Sequence, residues 1–220
     1  MYTVAMTAVK PEMGGLWAGP IWGPVAEMRI DCFRPEGSPF RPVTRLKLLY
    51  DDHALYGLFR VEDRYVRCVF TEYQAPVYKD SCVEAFFRPR ETSGYFNFEF
   101  GCGGALRCGY ITDPERTGDG FREWMLLPAE DGGLVSVRNS LPKRLDIEIA
   151  EAAMWLLEFR IPLRLIEKYA GPVRPIRGSL WTANFFKCAD ASSHPHWASW
   201  QPLPEKNFHR PDCFGELFFS

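Results

Sequence analysis

Between Tyr95 and Gly101 the chain reads Tyr-Phe-Asn-Phe-Glu-Phe-Gly, a strict alternation. Phe96, Phe98 and Phe100 fall on one side of an extended backbone; Tyr95, Asn97 and Glu99 fall on the other. A period of two with this aromatic content specifies an antiparallel strand with one buried face. Just upstream, residues 83–87 are apolar on both faces except for Glu84. A carboxylate in such a strand is costly to bury unless it is paired or hydrogen-bonded. Breakers and charges over residues 89–94 join the two runs as a hairpin. Paired in this way, Glu84, Tyr95, Asn97 and Glu99 share one sheet face. Such a set suits a polar, hydroxyl-rich ligand, and it is equally what a solvated sheet face contains.

Similar short runs recur along the chain. Strands are expected over 26–33, 44–50, 54–61, 105–112, 121–127, 134–138, 155–161, 179–187, 197–200 and 214–219, with 66–70 as an extension of the sheet. Polar loops are expected at 113–120 and 189–196, and a turn at 130–133. One helix is expected over 163–169, opened by Pro162 and stopped by Gly171. Residues 1–43, rich in Gly and Pro, read as an irregular segment packed on the rest, and the Pro-rich stretch 201–212 as a loop carrying Phe208. Trp155, Trp181 and Trp200 sit in alternating runs and read as core. Many short strands with one helix point to an all-β fold, an antiparallel β-sandwich of the jelly-roll or immunoglobulin-like kind, in a single domain over 1–220.

Several classes of partner are disfavoured by composition. The net charge is −2 with no basic stripe, so nucleic acid is not expected. No apolar run approaches the roughly 20 residues that span a bilayer, so neither is a membrane. The N-terminus shows no basic region followed by an apolar core, which suggests the cytoplasm, or the exterior if a leader has been removed. Seven cysteines without a Cys-x-x-Cys pair suit reduced core residues. Cys188, His194 and His196 form a Cys-x5-His-x-His cluster that matches no strong zinc spacing.

Ordered motifs carry a resemblance. Leu48-Leu49-Tyr50-Asp51 with Ala54-Leu55-Tyr56-Gly57-Leu58-Phe59 comes first, then Lys79-Asp80-Ser81-Cys82-Val83-Glu84-Ala85-Phe86-Phe87. Trp155-Leu156-Leu157-Glu158-Phe159-Arg160-Ile161-Pro162 follows, then Ala198-Ser199-Trp200 and Phe208-His209-Arg210-Pro211-Asp212-Cys213-Phe214-Gly215-Glu216-Leu217. In order and spacing, from about residue 40 to the end, the chain resembles the family 9 carbohydrate-binding modules and their stand-alone relatives. The resemblance implies a β-sandwich related to the DOMON superfamily. It also implies non-catalytic binding of a saccharide or polysaccharide end, in the setting of bacterial carbohydrate catabolism.

In the sugar-binding members, as the resemblance implies, two aromatic rings clamp a terminal sugar while polar side chains grip its hydroxyls. The positions that match are Tyr78 and Phe208 for the clamp, where the family has Trp, and Glu84 for the gripping carboxylate. Asn97 and Glu99 stand where the family has an arginine and an asparagine, and Asn207 lies near a further family asparagine. Only the glutamate is identical. Arg210, close to Phe208, is expected to supply the charged donor that Asn97 does not. No cofactor is expected, although the family allows a structural calcium; the acidic turns Asp51-Asp52 and Glu62-Asp63 are not EF-hand loops. Haem-binding relatives in the wider superfamily direct attention to Met125 and Met154, which form no paired signature.

Two alternatives stay open beside saccharide binding. One is a degenerate sandwich acting as an assembly or regulatory module, its cleft filled by Arg210 or by 201–212. The other is a glycoside hydrolase using Glu84 and Glu99 across a cleft. An oligomer or a partner enzyme would add multivalency to a lone module.

Overall fold

A computed structural model describes residues 1–89, 94–118, 120–174 and 176–220. Its fourteen strands, in chain order, begin with β1 (Tyr2–Met6), β2 (Met28–Arg29), β3 (Cys32–Phe33), β4 (Val43–Tyr50) and β5 (Ala54–Asp63). Then come β6 (Cys82–Arg88), β7 (Tyr95–Gly101), β8 (Leu106–Thr117), β9 (Gly120–Leu126) and β10 (Ser136–Asn139). β11 (Ala153–Pro162), β12 (Leu180–Cys188), β13 (Trp197–Ser199) and β14 (Gly215–Phe219) complete the set. Helix α1 (Ala129–Gly132) occupies the expected turn at 130–133, and α2 (Leu163–Ala170) is the expected helix.

One layer runs β14-β12-β6-β7-β8-β9 and the other β10-β11-β5-β4, and β1 lies parallel to both β14 and β4, joining them. Every other ladder pair between strands is antiparallel. The fold is a β-sandwich. Its interior takes Phe96, Phe98 and Phe100 from β7, Val83, Ala85 and Phe87 from β6, and Phe59, Trp155, Leu157 and Phe159 from the facing layer. Phe100 and Phe159 stack across the layers with centroids 5.1 Å apart. Trp155 and Trp181 are buried as expected, whereas Trp200 is half-buried.

Several boundaries differ from expectation. The N-terminal segment is not wholly irregular: Tyr2 and Val4 alternate inward and make β1 the strand that closes the two layers together. The run 26–33 divides into β2, which pairs β4, and β3, which pairs β13 in the other layer, because Ile30 and Asp31 carry the chain from one layer to the other. Residues 66–70 add only a bridge from Val66 to Ile149. The expected loop at 113–120 is mostly strand, since β8 continues to Thr117 through two register shifts; position 119 lies outside the described residues. The β6–β7 pairing is antiparallel as expected, and positions 90–93 of its turn also lie outside the described residues.

The outer faces of the two layers are covered differently. On the β4–β5 side, Trp22 packs on Leu49, Tyr56 and Leu58, and Lys47 Nζ donates to the Trp22 carbonyl at 2.9 Å. On the β6–β7–β8 side, a recess remains open.

Candidate functional site

The register of four adjacent strands builds this recess. Phe186 on β12, Glu84 on β6, Glu99 on β7 and Arg107 on β8 are successive cross-strand partners, so they form one row across the outer face. The next row places Asn97 between Phe86 and Gly109. Gly109 is required there: a Cβ would come within 3.0 Å of Asn97 Oδ1 and 2.8 Å of the Met125 carbonyl. On the other side of the Glu84 row, Cys188 is the cross-strand partner of Cys82.

Loops raise walls around this floor. Tyr78 sits in a 3-10 turn, Val77–Lys79, held by the buried carboxylate of Asp80, which accepts the Val69 and Phe70 amides at 2.7 Å each and pairs with Arg67. Asn207, Phe208 and His209 reach the cavity on the loop before β14, where Asn207 Oδ1 accepts the His209 amide at 3.0 Å. Phe208 stacks on Phe186 with centroids 4.1 Å apart. His209 Nδ1 lies 2.8 Å from the Tyr95 hydroxyl, and burial pushes its pKa down to about 3, so the ring is neutral near neutral pH. The cavity measures about 320 Å³, a size suited to a small ligand.

Its floor is polar and incompletely satisfied. Asn97 Nδ2 donates to Glu99 Oε1 at 2.8 Å, and Arg107 Nε lies 3.7 Å from the same oxygen. Asn97 Oδ1 and Glu99 Oε2 are buried with no partner in the protein. Burial raises the Glu99 pKa to about 7 against the pull of Arg107. Burial, Cys188 and the neighbouring Glu99 raise Glu84 well above the usual carboxylate range. Glu84 Oε1 accepts from Cys188 Sγ at 3.1 Å.

Six of the seven expected ligand-binding residues line the cavity together: Tyr78, Glu84, Asn97, Glu99, Asn207 and Phe208. Arg210 does not. Its guanidinium is drawn outward by Asp212 (2.7 and 2.9 Å) and Glu205 (2.8 Å), two carboxylates of its own loop. Arg107 supplies the charge in its place. Nor does Arg210 or His209 satisfy Glu84, whose partner is Cys188. The loop 201–212 forms a wall and leaves the cleft open.

Three further aromatic residues of the lining, Phe121, Trp124 and Trp197, are not among the expected site residues. Trp124, on the edge strand β9, is exposed, and Trp197 holds Asp190 through Nε1 at 2.6 Å beneath the Lys206 ammonium. The sequence signal for Arg107 was its place as the sole charge in the apolar run 105–111.

Other candidate groupings are not assembled. His196 Nε2 lies 2.9 Å from Lys187 Nζ, His194 stacks on Tyr65, and Cys188 faces Glu84, so these three residues do not converge. Alternation explains the split: Lys187 and Cys188 point to opposite faces of β12. Met125 and Met154 are exposed on different layers. Asp51 holds its own turn through the His53 and Ala54 amides, Glu62 pairs with Arg45 and Arg60, and Asp63 is buried near Lys187. Glu84 and Glu99 stand side by side on neighbouring strands, not facing each other across the cleft as a glycosidase pair does. All seven cysteines are free. Among the described residues, no helix is long and apolar enough to cross a membrane.

Comparison with known proteins bears on this site. The model of carbohydrate-binding family 9 matches residues 23–219. A candidate carbohydrate-binding protein from Bacteroides uniformis ATCC 8492 is 25% identical, with a TM-score of 0.84 over 100% of this chain and 99% of that one. A family 9 module from Caldicellulosiruptor kristjanssonii in complex with cellotriose is 16% identical, with a TM-score of 0.62 over 100% and 93% of the two chains. The module from the same organism in complex with glucose is 15% identical, with a TM-score of 0.60 over 99% and 95%. The last two likenesses speak to the fold. No curated protein matches the chain.

Proposed function

The chain belongs to carbohydrate-binding family 9, and we propose that it binds the end of a saccharide, without catalysis, in the cavity over β6, β7 and β8. The observation that carries this reading is the unfinished polar floor. Asn97 Oδ1 and Glu99 Oε2 are buried acceptors without a protein partner, set beside the Arg107 donor. A leftover buried acceptor costs roughly 1–3 kcal/mol, which a ligand hydroxyl relieves. In this reading Glu84, Asn97, Glu99 and Arg107 engage sugar hydroxyls.

The walls suit the carbon skeleton of the same ligand. Sugar C–H faces pack on aromatic rings, and Tyr78, Phe208, Trp124 and Trp197 all line the cavity. Phe208 has one ring face against Phe186, which leaves it a single face for a ligand. This is a thinner clamp than two free tryptophans, and the reading expects modest affinity. The open cleft and the outward Arg210 favour a binder over a degenerate module.

Isothermal titration of the wild type and Glu99→Gln against glucose, cello-oligosaccharides and a wider monosaccharide panel tests the proposal. A wild-type signal that Glu99→Gln weakens by about tenfold or more fits loss of one charge-assisted contact. A folded wild type that binds no member of the panel overturns it.

A further inference from the structure

Beside the Glu84 row, the cavity floor carries two cysteines that the saccharide reading does not use, within reach of a carboxylate that it does. Cys82 on β6 and Cys188 on β12 are direct cross-strand partners, and Glu84, two residues along β6, faces the same side. The Sγ atoms of Cys82 and Cys188 and one Glu84 carboxylate oxygen all lie within 4.8 Å of one another, and all three residues are buried. Cys188 Sγ is 3.1 Å from Glu84 Oε1. Glu84 and Cys188 border the cavity.

We propose that Cys82, Cys188 and Glu84 form a binding site for a thiophilic divalent cation, zinc being the best fit, with its remaining coordination position open to the cavity. Ligand chemistry selects the metal: two thiolates exclude calcium and magnesium and favour zinc among the abundant divalent ions. The spacing suits it too. Zn–S bonds of about 2.3 Å and Zn–O bonds of about 2.1 Å, in a tetrahedron, set ligand atoms roughly 3.5–3.8 Å apart. The Cys188–Glu84 separation of 3.1 Å and the 4.8 Å limit on the other two lie close to that spacing, and rotamer adjustment on neighbouring strands closes the rest.

Among the described residues, Cys82, Glu84 and Cys188 are the ligating groups that converge here. Of the other acidic groups nearby, Glu99 has one oxygen held by Asn97 and Arg107, and Asp190 is held by the Trp197 indole. Three protein ligands and one open position is the arrangement of zinc sites that hold a water or a substrate oxygen. Binding exchanges protons for metal: the two thiols and the Glu84 carboxyl release theirs to solvent, and no oxidant or reductant takes part.

The test uses the full-length protein, reduced and stripped with a chelator under anaerobic conditions, then titrated with cobalt(II) as a spectroscopic stand-in and with zinc. One cobalt per chain is expected, with intense thiolate-to-metal charge-transfer absorption that zinc abolishes by displacement. Cys188→Ser and Cys82→Ser should each lose most of that absorption. Cys102→Ser, in the separate Cys68–Cys102 contact, should keep it. Glu84→Gln should keep thiolate absorption with metal affinity at least tenfold weaker. Zinc titrations in buffers of different ionisation enthalpy should show proton release. Wild-type protein that folds, keeps its thiols reduced and shows no charge-transfer band overturns the site. So does a band that survives both cysteine variants. A Cys82–Cys188 disulfide that persists in the reduced, stripped protein also overturns it. Saccharide titration of the metal-free protein is read separately, so either result leaves the other reading standing.

Discussion

Two buried polar clusters lie on opposite faces of the layer that runs β12-β6-β7-β8, and they are finished to different degrees. In the interior, Lys187 Nζ on β12 lies 3.4 Å from Asp63 Oδ2 on β5, 2.9 Å from His196 Nε2 and 3.1 Å from the Cys188 carbonyl. Asp63 also accepts from the Trp155 indole at 3.1 Å and from the Arg64 amide at 2.9 Å. On the outer face, Glu84 and Glu99 are like groups placed side by side, with Asn97 Oδ1 and Glu99 Oε2 lacking partners. The interior cluster closes on itself and ties the two layers together. The outer one closes only with something added. A polar group taken from water demands partners whichever face it occupies, so the second cluster reads as half of a site.

Breaking the interior cluster should have the largest effect. Asp63→Asn leaves the Lys187 ammonium buried without its carboxylate, and unfolding in urea should show a loss of about 3–5 kcal/mol. The double variant Asp63→Leu with Lys187→Met should recover most of that loss, because removing both charges leaves nothing uncompensated. If Asp63→Asn is as stable as the wild type, the interior cluster is no more finished than the outer one.

The two clusters should also respond to pH with opposite signs. His196 is held neutral, its pKa pushed down to about 2 by burial and by Lys187. The unfolded chain therefore binds the extra proton, and this contribution is complete above the ordinary value of 6.5 and is lost as pH falls below it, by about 1.4 kcal/mol per unit. Glu99 has its pKa raised from 4.5 to about 7 by burial, so the folded chain holds the proton more tightly. That contribution is complete below 4.5 and is lost as pH rises to about 7, on the order of 3 kcal/mol. In chelated, ligand-free protein, Glu99→Gln should shrink the decline between pH 4.5 and 7 to the part that Glu84 contributes, and keep the acid limb. His196→Gln should shrink the acid limb to the part that His209 contributes, and keep the decline. Equilibrium unfolding across this range checks both.

The same contrast explains what the sequence revealed. The alternation of 95–101 gave the hairpin, the buried Phe face and the shared face of Glu84, Asn97 and Glu99, because a strand's period depends on its own residues alone. β1 was missed because its partners, β4 and β14, are far along the chain, and five residues among Gly and Pro do not announce them. Arg107 enters the site through its register with Glu99, and register depends on strand pairing, which sequence does not state. Cys82 and Cys188 meet for the same reason, 106 positions apart in the chain. Loop residues divide by their local partners. Asn207 and Phe208 reach the cavity, while Arg210 is captured by Glu205 and Asp212 within its own loop.

The two arginines give the finest comparison and the smallest effect. Arg107 is half-buried, lies against Glu99 and has a second anchor in the Gln74 carbonyl at 2.8 Å. Arg107→Ala should weaken saccharide binding by about tenfold or more, as loss of a charge-assisted hydrogen bond does. Trp124→Ala, removing an exposed ring from the mouth, should cost up to about tenfold with little change in melting temperature. Arg210→Ala should change neither the affinity nor the unfolding midpoint measurably, because both of its ion pairs face solvent and water replaces them. Titration calorimetry and thermal melts of the three variants rank them. If Arg210→Ala loses affinity while Arg107→Ala keeps it, the loop swings inward on binding and the row across β6, β7 and β8 is not the gripping surface.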